Sequence, residues 1–166
     1  MAEVLADAIS DATGVRDKFT EIALNDGSTQ KTDFYQDGTR AIQLYDSAVK
    51  SYFLQTFGRN AREITCECER SNQPSLVQVL HLSNGNTINE KLAAEGGAVA
   101  QAVASGMADE AVVEDAYLRC LSRPPSAGES AKFAALLGGV APEERRIAIE
   151  DLYWSLLTSR EFLFQH

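Results

Sequence analysis

Three times in this chain a hydroxyl residue is followed three positions later by a glutamate and then by apolar residues: Thr87 and Glu90, Ser126 and Glu129, Thr158 and Glu161. At that spacing the hydroxyl can accept from a backbone N–H in the first turn of a helix while the carboxylate reaches back to the capping residue, so each pair predicts a helix start. Apolar stripes of helical period follow the pairs. Ile88 and Leu92 follow the first, and Phe133, Leu136 and Leu137 the second, with Gly138-Gly139 as a stop.

Other stripes carry their own punctuation. Val4, Leu5, Ala8, Ile9 and Ala12 predict a first helix that Thr13-Gly14 ends, and Ala48, Val49, Tyr52, Phe53 and Phe57 a second, closed by Gly58. Ser71 or Asn72 can cap a helix entering through Pro74, with Leu76, Val79 and Leu80 inward and Asn84-Gly85 at its end. Asp109 and Glu110 suit the positive end of a helix whose Val113, Ala116, Tyr117, Cys120 and Leu121 share a face, with Pro124-Pro125 beyond it. Pro142 opens another, with Ile149, Leu152, Tyr153, Leu156 and Leu157 on one stripe and Ile147 and Trp154 widening it.

The fold class expected is therefore all-α or nearly so: an array of short amphipathic helices forming one domain over residues 1–166, with a C-terminal helical subregion over 108–166. Two stretches depart from helical period. Residues 14–40 read as a long polar loop with turn signals at Asn25-Asp26-Gly27-Ser28 and Gln36-Asp37-Gly38-Thr39, room for a small hairpin, and Phe34-Tyr35 as anchor. Residues 62–70 alternate Ile64, Cys66 and Cys68 against Thr65, Glu67 and Glu69, which fits a short extended connector.

A chain of 166 residues can bury ~70% of the surface its unfolded form exposes, so a self-sufficient core is expected. The formal net charge of −9 repels phosphate backbones and anionic lipid, which argues against nucleic acid and membrane surfaces as partners. No apolar run approaches the ~20 residues of a membrane span, and the acidic N-terminus lacks the basic start of a signal peptide.

Candidate chemistry centres on Thr65-Cys66-Glu67-Cys68-Glu69-Arg70. Cys66 and Cys68 can share a soft metal such as zinc, with His81 as third ligand and Cys120 or a carboxylate as fourth. Two histidines in the whole chain leave little to complete such a shell, and the thiols read more simply as small inward hydrophobes. Thiol catalysis fits worst, because Glu67 and Glu69 disfavour a thiolate. Arg62, Glu63, Glu69 and Arg70 can form a structural charge network, each exposed pair contributing ~0–1 kcal/mol.

Elsewhere the bland readings lead. His81 fits a partly buried, hydrogen-bonded histidine better than a catalytic one. Asp109, Glu110, Glu114 and Asp115 read as solvated, dipole-matched charges. Gly96-Gly97 and Gly138-Gly139 lack the Lys-Ser/Thr of a phosphate loop. Tyr153, Trp154, Phe162 and Phe164 read as core, with any exposed part able to dock a sugar or a neighbouring module.

The ordered set Gly38-Thr39-Arg40-Ala41-Ile42-Gln43-Leu44, Ser51-Tyr52-Phe53-Leu54-Gln55-Thr56-Phe57-Gly58-Arg59, Cys66 to Ser75, Leu80-His81-Leu82-Ser83-Asn84-Gly85-Asn86-Thr87, Tyr117-Leu118, Leu121-Ser122-Arg123-Pro124 and Ser159-Arg160-Glu161-Phe162-Leu163-Phe164-Gln165-His166 resembles a family of planctomycete and verrucomicrobial proteins. Its members carry a C-terminal domain of unknown function, and this chain resembles roughly the C-terminal half of that domain. The resemblance implies a fragment of a large exported protein, periplasmic or at the cell surface, whose other modules include cytochrome-c-like, immunoglobulin-like or lectin-like domains. Haem belongs to those other domains, because no Cys-x-x-Cys-His exists here; no cofactor is expected in this chain. The 17–37 stretch is longer than the family's usual connector. An exported setting also admits a disulfide from Cys66 or Cys68 to Cys120.

The function expected is a non-catalytic interaction or scaffolding module, its partners other modules of the parent, another protein, or a polysaccharide. The alternatives are an enzyme or enzyme component linked to polysaccharide degradation, and a metal-binding redox accessory built on Cys66, Cys68 and His81.

Overall fold

The computed structural model describes residues 2–24, 26–45, 48–59 and 76–164, and the mostly helical class holds throughout them. Helix α1 (Ala2–Thr13) leads into a two-stranded antiparallel hairpin, β1 (Glu21–Ala23) and β2 (Thr29–Lys31), and then a 3₁₀ turn (Ala41–Gln43). Helices α2 (Tyr52–Thr56), α3 (Leu76–Asn84), α4 (Asn86–Ala93), α5 (Ala98–Ala104), α6 (Asp109–Leu121), α7 (Ala127–Gly138), α8 (Arg145–Leu157) and α9 (Arg160–Leu163) follow.

Helix α6 packs on α1, α7 and α8, while α8 also packs on α4, α5 and α9. The expected stripes supply this core: Val113, Ala116, Tyr117, Cys120 and Leu121 from α6, and Ile149, Leu152, Tyr153, Leu156 and Leu157 from α8, are all buried. Ile9 and Ala12 of α1, Phe53 and Leu54 of α2, Ile88 and Leu92 of α4, Val99 of α5, Leu137 of α7 and Phe162 of α9 join it. Helix α5 lacks a cap signal, and its inward Ala98, Val99 and Ala102 are too small to stand out in the sequence.

Several starts and stops follow the local chemistry. Gly14, at φ +72, ends α1 in the left-handed region that a side chain rarely adopts. Ser126 Oγ accepts from the Glu129 N–H, and the Glu129 carboxylate accepts from the Ser126 N–H at 2.8 Å, completing the capping box of α7. At the α3–α4 corner the Gly85 N–H donates to the His81 carbonyl at 2.7 Å, and a Cβ on Gly85 would lie 2.1 Å from that oxygen.

Others are overruled by tertiary partners. The Thr87/Glu90 box does not form: α4 starts at Asn86 behind Gly85, and the Thr87 hydroxyl pairs with the His81 ring. At α9 the cap is Ser159, whose hydroxyl accepts from the Phe162 N–H, while Glu161 turns to Arg123. Pro142 sits in a turn before α8, which begins at Arg145.

The 14–40 stretch holds the hairpin, turned at Gly27 (φ +82), and β1 gains a second neighbour on its other edge. Val49 bridges Ile22, the Ala23 N–H donates to the Ala48 carbonyl and the Lys50 N–H to the Glu21 carbonyl. Val49 therefore sits in a β-bridge and Ala48 in the turn before it, and the second helix is only Tyr52–Thr56, capped by Ser51. Leu76, Val79 and Leu80, expected inward, are exposed on α3, as are Leu136 of α7 and Ile147 of α8.

Candidate functional site

Cys66, Cys68, Arg62, Glu63, Glu69 and Arg70 lie outside the described residues. The two other proposed ligands are described and do not meet. His81 sits on α3 with its Nε2 3.0 Å from Thr87 Oγ1 and its ring edge-on or tilted against Tyr52, Phe53 and Phe57 at 5.3–6.0 Å. Burial in that aromatic shell lowers its pKa and favours the neutral ring. Cys120 is a free thiol on the inward face of α6, with its pKa pushed up to about 12 by burial and then by the Asp115 carboxylate. Among the described residues no group of three or more His, Cys, Asp or Glu could hold a metal ion.

The acidic stretch of α6 is not uniformly solvated. Asp115 accepts from Tyr153 Oη and from Arg119 Nε, both at 2.7 Å, and so ties α6 to α8. Burial, and then that carboxylate, raise the Tyr153 pKa far above the usual phenol range. Asp109 accepts from Arg145 Nη1 at 2.5 Å, joining the start of α6 to the start of α8.

The strongest charged constellation is Arg123. Its Nε and Nη2 donate to the two oxygens of Glu161 at 2.6 and 2.9 Å, its Nη1 and Nη2 to those of Glu129 at 3.0 Å each, and its guanidinium lies 5.2 Å from the Tyr117 ring centroid. The two bidentate carboxylates take four of its five N–H donors and the Pro124 carbonyl accepts the fifth at 3.2 Å, so the saturated guanidinium clamps α6, α7 and α9 together. Hydrogen bonds from Arg123 hold Glu129 and Glu161 below the ordinary carboxylate range.

A cleft of about 380 Å³ between α1, the 3₁₀ turn and the end of α6 shows the same pattern. Buried Asp7 in its wall accepts from the Ala41 and Ile42 N–H groups at 2.7 and 3.1 Å and so caps the 3₁₀ turn from another element. Arg40 donates to Asp11 at 2.9 Å and lies 3.5 Å from Asp7. Lys91, buried on α4, donates to Ser10 Oγ, the Val15 carbonyl and Asp17 Oδ1 at 3.2, 2.8 and 2.7 Å. These charges bind elements together.

The surface carries a different feature. Phe34 and Tyr45 are 62% and 74% exposed, yet their ring centroids lie 5.4 Å apart, and each packs against Tyr35 at 5.1 and 5.9 Å. Tyr35 in turn packs edge-on against buried Phe19 at 6.4 Å, which roots the cluster in the core. Exposed Ile42 belongs to the 3₁₀ turn that Asp7 caps, three residues before Tyr45. Sequence reading gave Phe34-Tyr35 only an anchoring role. Tyr45 lies ten residues beyond Tyr35, and no local periodicity links it to them.

The family model described as "Protein of unknown function (DUF1553)" matches residues 1–137, from α1 to the penultimate residue of α7. The chain belongs to this DUF1553 family. No curated protein and no solved structure matches it. The matched span takes in the aromatic cluster, Asp7, His81 and the Arg123–Glu129 half of the clamp, while Glu161 and all of α8 lie beyond it.

Proposed function

We propose that this chain is a non-catalytic interaction module and that the face formed by Phe34, Tyr35 and Tyr45 is its contact surface for another folded protein module. The carrying observation is the exposed cluster of three mutually packed aromatic rings, held from behind by Phe19. Interface centres are enriched in Tyr and Phe, and rings already fixed by their neighbours lose little conformational freedom on docking. The charged rim nearby, Arg40 with Asp11 and Lys18 with Asp37, suits a partner of mixed charge. The ion pairs described above support the same reading, since each serves the scaffold. The proposal includes the exported, multi-domain setting that the motif resemblance implies.

A photo-crosslinking amino acid at position 45, tested in an extract of the source organism, checks it. One discrete protein adduct is expected, lost when Phe34→Ser is added and absent from a control probe at exposed Lys132 on α7. Adducts indifferent to Phe34, or equal at both positions, would overturn the reading.

A further inference from the structure

A second surface, on different elements, points to a small ligand. Helices α4 and α8 leave between them a cleft of about 490 Å³ lined by Asn89, Leu92, Ala93, Glu150, Asp151 and Trp154. The spacing 89, 92, 93 puts one face of α4 on it, and 150, 151, 154 one face of α8. Its volume lies within the ~300–1,000 Å³ typical of small-ligand sites.

Three of the lining side chains carry polar groups that a ligand can engage. Trp154, the chain's single tryptophan, packs partly against the core while lining the cleft, and among the described residues its indole N–H has no protein partner. The same holds for the side chains of exposed Asp151 and Asn89. Glu150, by contrast, accepts from Arg146 Nε at 3.0 Å, and Arg146 also donates to the Ala93 carbonyl at 2.6 Å and to Glu95 at 3.1 Å. That guanidinium fixes the end of α4 to α8 and holds the cleft's shape.

Two ligand classes suit an indole beside carboxylates: an organic cation over the ring face, or a saccharide whose C–H face stacks on it. Arg146 decides between them. It pairs with Glu150 and also with Glu95, so of the two carboxylates lining the cleft only the exposed Asp151 is left to hold a cation, and water screens it there. A cation would also leave the indole N–H and the Asn89 amide donors unused. A polyol answers all three groups, with hydroxyls donating to Asp151 and accepting from Asn89 and from Trp154 Nε1. We propose that the α4–α8 cleft binds a neutral saccharide, with Trp154 as stacking platform and Asp151 and Asn89 as hydroxyl partners. This site stands apart from the protein-contact face, and either can fail without the other.

The lone indole is its own reporter. Titration of the purified chain with cellohexaose, xylohexaose, mannohexaose, laminarihexaose and chitohexaose should give a saturable blue shift of tryptophan emission with at least one of them. Asp151→Ala and Asn89→Ala should each weaken that response roughly tenfold, with unchanged far-ultraviolet circular dichroism and urea midpoint. Absence of a saturable shift with all five sugars, a response indifferent to both substitutions, or a response to tetramethylammonium in place of the sugars would overturn the assignment.

Discussion

Arg123 and Glu161, 38 residues apart, meet through two parallel hydrogen bonds of 2.6 and 2.9 Å, and Glu129 grips the other side of the same guanidinium. This contact joins the segment Leu121-Ser122-Arg123-Pro124 to Ser159-Arg160-Glu161-Phe162. Ser122 turns the chain through the left-handed region at φ 53 immediately before Arg123, closing α6 and leading into the clamp.

The clamp gives stability a sign with pH. Glu129 and Glu161 are held below the ordinary glutamate value of 4.5 in the folded chain, so near that pH the unfolded chain binds more protons. Their contribution is therefore present above about pH 4.5 and is lost as pH falls toward the folded values. Melting temperature measured from pH 6 down to pH 3 should fall more steeply for the parent than for Arg123→Ala, and Arg123→Ala should melt roughly 5 °C lower at pH 7. Arg123→Lys should recover little, because an ammonium cannot serve two carboxylates bidentately.

Asp7 is a cap supplied from another helix. Asp7→Ala leaves the Ala41 and Ile42 N–H groups without their acceptor in a buried corner, and it should cost about 1–3 kcal/mol in urea unfolding. Asp7→Asn keeps one acceptor oxygen and should cost less.

Tyr153 tests the α6–α8 tie. Its raised pKa means that the folded chain holds the phenol proton where the unfolded chain releases it, so this contribution is complete below about pH 10 and is lost as pH rises beyond. Absorbance titration at alkaline pH should show a tyrosine ionising only with unfolding, and Tyr153→Phe should remove that step while costing about 1–2 kcal/mol at neutral pH.

Cys120 should be inert. In a Cys66→Ser/Cys68→Ser variant it is the only thiol, and with its pKa pushed up to about 12 it should react with a thiol-exchange reagent at pH 8 only as fast as the chain opens. Rapid stoichiometric labelling of the folded variant would place this thiol on an accessible face.

How far the sequence reaches into the structure depends on the range of each interaction. The α6 stripe, the Ile149 to Leu157 stripe of α8 and the Ser126–Glu129 box are local, and they form as read, while Ile147 turns outward and α8 starts only at Arg145. Thr87 and Glu161 carry the same local signal, but His81, six residues back at the α3–α4 corner, and Arg123, 38 residues away, compete for their oxygens. Ala48 and Val49 have helical spacing, yet their backbone completes a ladder with β1, a pairing with residues more than 20 positions away. The candidate surfaces were hidden for a related reason. Aromatic residues in a sequence read equally well as core, and only the fold shows that Phe34 and Tyr45 face outward together while Tyr153 is fully buried.

The central claim is that the Phe34–Tyr45 face binds a protein partner, and the most direct measurement is the affinity of the purified partner, identified by crosslinking at position 45, for the parent chain and for Phe34→Ser/Tyr45→Ser. Interface aromatics of this kind contribute about 2 kcal/mol or more when they anchor binding. The account predicts a loss of more than tenfold in the double variant, with α-helical circular dichroism unchanged; equal affinity for both chains would contradict it.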